Sequence, residues 1–529
     1  MVKILFINPV IREEDNPKHI PYGIALLAAI AINDGHQVQV YDANAWRKGD
    51  EVLEQVCAAD DWDIIAIGGL TTAFGYIKKA CKIVRRINPQ TFILAGGGFL
   101  TSMPREIMDW MPEIDLGVVG EAFVTFPVVL RMFDEHKLIK IPLDFQKTLG
   151  IIYRKSNGTP VLNGVRPNIP NLDALPWPAW ELFPLDIYFA NSKLLFSEES
   201  FTSKRRLDVN GSLGCNLICR YCWHLGTTGD MVIEENEDGI NDVRFTYGRN
   251  IRYHSPDYIV NMVQYLRDTY DIDFISFIDE NMMTMDAYSK RTWIFDLCEA
   301  WIAAGLQPTC RSKGIPHDDS CKGVHWGGTS HATLHRKESL EHMFKAGCSQ
   351  LVYGLESFDR DILKTLGKGS TREKNINSVA ICQSAGINPI PNIIIGFPEE
   401  TFESIRNTIT ALLELGIHAK PHFATAYPGS EWYYDYKDSI IEQYKGNLEA
   451  YIADLGDATK ITATISHRFS AMELLGLQKI VELRDLRLLE LTQIHWNEAD
   501  QFMKPLATPK TSFNMVKKKI QAPLAKVVG

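Results

Sequence analysis

The stretch RRLDVNGSLGCNLICRYCWH, residues 205–224, decides the reading of this chain. It opens with a strand-like segment and then sets Cys215, Cys219 and Cys222 in one loop, as C-x3-C-x2-C. Three thiolates from one loop can hold three irons of a [4Fe–4S] cluster and leave the fourth iron open, whereas electron-transfer clusters typically use four cysteines. An open metal position is where substrate chemistry can occur, by the logic that separates catalytic from structural zinc. The alternative is a zinc site with His224 as fourth ligand. Zinc sites normally use two separated ligand pairs, and this one would crowd all four into ten residues. The cluster is the expectation.

Working outward toward the N-terminus, short apolar runs alternate with helical segments. Strands are expected at KILFINP (3–9), VQVYD (38–42), DIIAIGG (63–69), TFILAGGG (91–98) and DLGVVGE (115–121), with helices at 22–34 and up to about Ile87. That alternation predicts a parallel sheet covered on both faces, whose ligands bind outside the carboxyl ends of the strands. Those ends carry Asn8-Pro9, Gly69-Leu70-Thr71-Thr72, Gly97-Gly98 and Val119-Gly120-Glu121. No G-x-G-x-x-G follows the first strand, so a dinucleotide fingerprint is absent. Asp34-Gly35-His36 lies before the second strand and reads as a turn.

Between about 130 and 200, Pro160, Pro167, Pro170, Pro176, Pro178 and Pro184 punctuate the chain, with Trp177 and Trp180 among them. Proline at this density resists helix and central strand, and the aromatics imply packing, so an ordered interdomain strap is expected. The run SAMELLGLQKIVELRDLRLLEL (470–491) has helical period. Cys310, His317, Cys321 and His325 have ligand chemistry, but their spacing matches no common zinc finger and glycines and a proline mark a loop; a plain insertion with incidental thiols is the expectation. Cys57, Cys81, Cys298, Cys348 and Cys382 read as small buried hydrophobes. Met282, Met283 and Met285 read as gap-fillers.

A length of 529 residues suggests two or three domains. An apolar share of 45% with 23% charged residues argues against wholesale disorder. Fifty-five basic against 65 acidic residues, a net charge of −10, disfavour a general nucleic-acid binder. The exception is Gln501–Gly529, with six lysines and no acidic residue, expected to be a solvated tail. The longest apolar run, Gly23–Ile32, falls short of the ~18 residues a membrane span needs. The chain begins Met-Val-Lys and enters a strand, so no signal peptide is visible and a cytoplasmic location is expected.

With Tyr221 as the aromatic, C-x3-C-x-aromatic-C resembles the signature of the radical S-adenosylmethionine (SAM) superfamily, and the glycine-rich sheet before it resembles the cobalamin-binding domain of the class B methyltransferases. The resemblance runs from about residue 2 to residue 430. It implies an α/β chain in parts: a Rossmann-like cobalamin-binding sheet (1–130), the Pro-rich strap (131–200), a partial (β/α)6 radical SAM barrel (201–432) and a mainly helical C-terminal cap with a basic tail (433–529). It implies a [4Fe–4S] cluster on Cys215, Cys219 and Cys222, with SAM chelated at the open iron beside Tyr221. DFISFIDEN (273–281) then supplies Asp279 and Glu280 for the methionine amino group, and QLVYGLES (350–357) supplies Glu356 and Ser357. NIIIGFPEE (392–400) supplies Ile394 against adenine, with Asn392 standing where the family has Gly. AYPGSEWY (426–433) resembles the exit of the last strand.

Cobalamin is expected against Asn8, Pro9, Gly69, Leu70, Thr71, Thr72, Gly97, Gly98, Val119, Gly120 and Glu121. No histidine ligand is visible by motif, so the base-off form is expected. The implied activity is methylation of an unactivated carbon in a small molecule or a peptide or protein residue, with hydrogen abstraction by a 5′-deoxyadenosyl radical and methyl transfer from methylcobalamin. A reductant such as flavodoxin or ferredoxin is implied, as is sensitivity to oxygen. Cyclisation or ring rearrangement without methyl transfer, within the same family, is the alternative, and a non-catalytic corrinoid-binding protein is a further one. A methylthiotransferase is disfavoured, because only Cys57 and Cys81 precede the motif.

Overall fold

The computed structural model describes residues 1–136, 143–191, 203–223, 231–235, 241–246, 248–290, 292–318, 320–456 and 458–503. His224 and most of the basic tail therefore lie outside the described residues.

The N-terminal sheet has strands β1 (Lys3–Asn8), β2 (Gln37–Asp42), β3 (Ile64–Gly68), β4 (Phe92–Gly96), β5 (Leu116–Val118), β6 (Ile151–Arg154) and β7 (Pro160–Leu162). They lie in the order 2-1-3-4-5-6-7. The first five are parallel, and β6 and β7 add on antiparallel at the β5 edge. Alternation within β1 explains its unbroken apolar run. Ile4 and Phe6 pack with Ala28 and Phe126 on one face, while Leu5 and Ile7 pack with Phe74 and Ile77 on the other. Both faces are covered, as parallel sheets require. β6 and β7 arise inside the stretch expected to be strap; proline is tolerated in β7 because that strand is at the sheet edge.

The rest of the strap does connect the two halves. Trp180 and Tyr188 are buried in the barrel's core, and Tyr188 donates to Asp42 of the first sheet at 2.7 Å.

The second sheet has six parallel strands in sequence order: Arg206–Val209, Phe274–Phe277, His325–Ser330, Cys348–Glu356, Asn388–Ile395 and His422–Phe423. Helices Pro256–Tyr270, Trp293–Ala303, Lys337–Ala346, Arg372–Ser384 and Phe402–Glu414 alternate with the strands, giving the expected partial barrel. Local chemistry sets their starts: Ser255 caps the first through the amide of Tyr258, and Thr401 with Ser404 forms a capping box on the last. Met282, Met283 and Met285 are buried in the barrel core, as expected.

The C-terminal region is helical: Glu431–Gln443, Leu448–Asp454, Ala471–Leu483 and Leu486–Met503. The 470–491 run is split in two by Arg484, which adopts a left-handed φ of +53°. Among the described residues no helix is long and apolar enough to cross a membrane.

Candidate functional site

The three-cysteine loop leaves the carboxyl end of the first barrel strand. Cys215 and Cys219 are buried and Cys222 is half-buried. Burial pushes all three thiols above the ordinary value, Cys219 to about 11, and their neighbours among the three add to the rise at Cys219 and Cys222. The ammonium of Lys368 works against it at each. Three neighbouring thiols, two of them on buried residues, beside a cation are a donor set suited to a metal cluster, because a bound metal deprotonates its thiol ligands outright.

Glu356 ends the fourth barrel strand. Burial opposes the charge on Lys368, but the ion pair with Glu356 together with the neighbouring Cys219 and Cys222 raises its pKa on balance. Tyr221, from the cysteine loop, donates to the same Glu356 oxygen at 2.8 Å and accepts from Lys368 at 3.2 Å. The backbone at Glu356 is left-handed, with φ +62°. The carboxylate thus lies beside the thiol loop, held by a tyrosine and a lysine. Ser357 is committed elsewhere: its hydroxyl lies 3.2 Å from that of Thr408 and accepts from the amide of Asp359 at 3.1 Å.

Asp279 is fully buried at the end of the second barrel strand, accepting from the Ser212 hydroxyl at 2.5 Å and the Gly211 amide at 3.1 Å. Glu280 accepts from the Gly214 amide at 3.3 Å. Burial pushes Asp279 up to about 6, and the Glu280 carboxyl, on a residue still open to solvent, is raised to about 7 by partial desolvation with the charge of Asp279 adding to it. Next to them the buried Nδ2 of Asn281 has no hydrogen-bond partner. An orphaned donor beside two reluctant carboxyls fits a ligand that brings an ammonium group to the carboxyls and an acceptor oxygen to the amide. Asn392 and Ile394 are half-buried in the fifth strand.

At the N-terminal sheet, Leu70 is 54% exposed after β3 while Thr71 is buried. Gly97 has φ +91°, and a Cβ there would come within 2.8 Å of the Gly69 carbonyl, so only glycine fits this crossing of two strand ends. An exposed leucine among such bare strand ends fits a large planar ligand. Other predicted contacts have protein partners. Asn8 donates to Asp42 at 2.7 Å, and the Gly120 amide donates to Thr101 at 3.0 Å. The Val119 amide donates to the Gly150 carbonyl at 2.9 Å. Glu121 pairs with Arg252 at 2.6 Å and accepts from the Ile169 amide at 2.7 Å, which ties the first domain to the barrel. Pro9 lies beside Gly69, where an added Cβ would be 3.2 Å from its ring, and Thr72 is half-buried.

Trp223 was not anticipated. It directly follows Cys222, and its indole donates to Ser102 of the first domain at 2.7 Å. A Cβ on Gly98 would be 3.2 Å from its ring, and one on Gly429 would be 2.6 Å away. One indole therefore touches the strand ends of both sheets. Only its place beside a ligand cysteine could have signalled this.

The second constellation, expected as a plain insertion with incidental thiols, is brought together in space. One ligand atom from each of Cys310, His317, Cys321 and His325 falls within 4.8 Å of the others. His325 belongs to a strand, His325–Ser330, because the loop folds back onto the sheet.

The Radical SAM superfamily profile matches residues 209–412, and the B12 binding domain profile matches residues 9–130. The chain is 26% identical over 447 residues to an uncharacterized methyltransferase of Pyrococcus horikoshii, covering 83% of this chain and 84% of that one. It is 22% identical to an anaerobic magnesium-protoporphyrin IX monomethyl ester cyclase of Synechocystis, covering 81% and 77%. In fold it is similar to the radical S-adenosylmethionine methyltransferase TsrM from Kitasatospora setae, with a TM-score of 0.61 at 15% identity over 83% of this chain and 77% of that one. With both profiles lying on the two sheets whose strand ends meet at Trp223, the chain belongs to the radical SAM superfamily, in its branch of cobalamin-dependent (class B) methyltransferases.

Proposed function

We propose that this methyltransferase acts on an unactivated carbon, with a [4Fe–4S] cluster on Cys215, Cys219 and Cys222 and SAM bound against Asp279, Glu280 and Asn281. Base-off cobalamin would lie over Leu70, Thr71 and Gly97-Gly98. Bound together, the cluster and SAM supply radical hydrogen abstraction, and the cobalamin supplies the methyl group.

The protein's own part is placement. Tyr221 and Lys368 hold Glu356 beside the thiol loop. The carboxyl of Asp279, costly to ionise when buried, and that of the neighbouring Glu280 gain from an arriving ammonium group. The observation that carries the reading is Trp223, which follows a cluster cysteine and touches Gly98 on the other sheet. That contact supports a reading in which the rims of the two sheets face one space, as a transfer from one cofactor's reach to the other would require.

The experiment is anaerobic turnover with a chemical reductant or with flavodoxin or ferredoxin. 5′-Deoxyadenosine and S-adenosylhomocysteine should form together, and replacing all three cysteines with alanine should abolish both. Deoxyadenosine without S-adenosylhomocysteine would instead indicate rearrangement chemistry. Nitrogen superhyperfine splitting in the electron paramagnetic resonance spectrum of the cob(II)alamin form would refute base-off binding.

A further inference from the structure

Far from the thiol loop, the segment between helix Thr309–Lys313 and strand His325–Ser330 gathers two cysteines and two histidines. Cys310 Sγ lies 3.6 Å from His325 Nε2 and 3.9 Å from His317 Nδ1, and Cys321 Sγ lies 3.9 Å from His325 Nε2. Tetrahedral zinc, with bonds of about 2.3 Å to sulfur and 2.0–2.1 Å to nitrogen, sets its ligand atoms about 3.3–3.8 Å apart. Three of the six donor pairs already lie at 3.6–3.9 Å and none exceeds 4.8 Å, so the donors need to move by at most about 1 Å to meet one ion. The surroundings are those of a metal site too. Ser349 Oγ is 2.7 Å from His325 Nδ1, which fixes the ring with Nε2 toward the sulfurs. The Cys310 amide donates to Cys321 Sγ at 3.4 Å, which orients that sulfur.

We propose that Cys310, His317, Cys321 and His325 form a structural zinc site. Two thiolates and two neutral imidazoles would balance the charge of a divalent ion and fill its four positions, leaving none open for chemistry. The location agrees, since His325 begins its strand and so sits at the end of the barrel opposite the carboxyl-terminal rim where the thiol loop lies. Zinc here would pin the long connection between the second and third barrel strands. Cys310 is buried but Cys321 is half-exposed, and an open pocket of about 280 Å³ lined by Lys313, Pro316, Ser320 and Cys321 gives the ion a way in.

The test is metal analysis of the full-length chain, produced with both iron and zinc available and purified without oxygen or chelator. Wild type should carry about one zinc per chain in addition to its iron. Cys321→Ser and His317→Ala should each lose zinc at least about tenfold while keeping iron. Replacing Cys215, Cys219 and Cys222 with alanine should do the reverse. If the variants fail to fold, wild type decides through a second reading: a mercurial thiol reagent should release its zinc as thiols are consumed. Wild type with almost no zinc, zinc that persists in Cys321→Ser, or zinc that leaves together with iron in the triple variant would each overturn the assignment. Iron and zinc report separately, so failure here and failure of the methyltransferase reading are distinguishable.

Discussion

Lys368 has no signature in the sequence, yet its ammonium sits in a buried pair with Glu356, and both side chains are about 6% exposed. Removing one partner of such a pair strands the other charge. Lys368→Met should therefore destabilise the protein by about 3–5 kcal/mol, and adding Glu356→Gln should recover a large part of that loss, as read by anaerobic denaturant unfolding. Glu400 poses the opposite case. It accepts from the Gly396 amide at 3.1 Å and from Ser404, but burial raises its pKa from 4.5 to about 7. A folded pKa above the unfolded one means the folded state binds the extra proton between those values. Its contribution is thus complete below about pH 4.5 and is lost as pH rises through about 7. Glu400→Gln keeps an acceptor without the charge, so its melting temperature should rise relative to wild type between pH 5 and pH 8, by an amount on the order of 2–3 kcal/mol of stability. A melting difference that does not change with pH would refute this.

At the level of elements, what could be read from sequence was whatever is local. The cysteine loop is a short-range spacing, and the first five strands announce themselves as apolar runs. The third barrel strand, HWGGTS, escaped because Gly327 and Gly328 lack strand propensity. They are glycine because neighbours intrude: added Cβ atoms would meet the Gln350 carbonyl at 2.7 Å and Met282 Sδ at 2.7 Å. The role of Trp223 is not legible because its partner Ser102 lies 121 residues away, and that of Lys368 because only the fold of the turn after the fourth strand brings it back onto Glu356, 12 residues earlier. Part of the expected strap is sheet, because an edge strand such as Pro160–Leu162 tolerates proline. The Trp223 contact has a direct check. Trp223→Phe keeps an aromatic ring against Gly98 and Gly429 but loses the bond to Ser102. It should retain iron while weakening cobalamin retention several-fold, and Trp223→Ala should weaken it further, measured by the cobalamin that survives gel filtration.

Across the whole molecule, long-range clasps join the two sheets. Arg252 pairs with Glu121 and also donates to the Ile169 carbonyl at 2.9 Å, while Lys78 of the first domain pairs with Glu449 beyond the barrel. The first is almost fully buried, at 8% and 9% exposure, and the second is partly exposed. Arg252→Met should cost about 3–5 kcal/mol and open the junction to proteolysis, whereas Lys78→Met should cost at most about 1 kcal/mol. Limited digestion followed by mass analysis separates the two outcomes.

The indole wedged at that junction makes the halves mechanically dependent. Prising them apart tugs on the very backbone that would grip the metal, so a chain loosened in its vitamin-binding lobe should shed iron before its barrel melts. Colour lost ahead of helicity on gentle warming would be the sign of it.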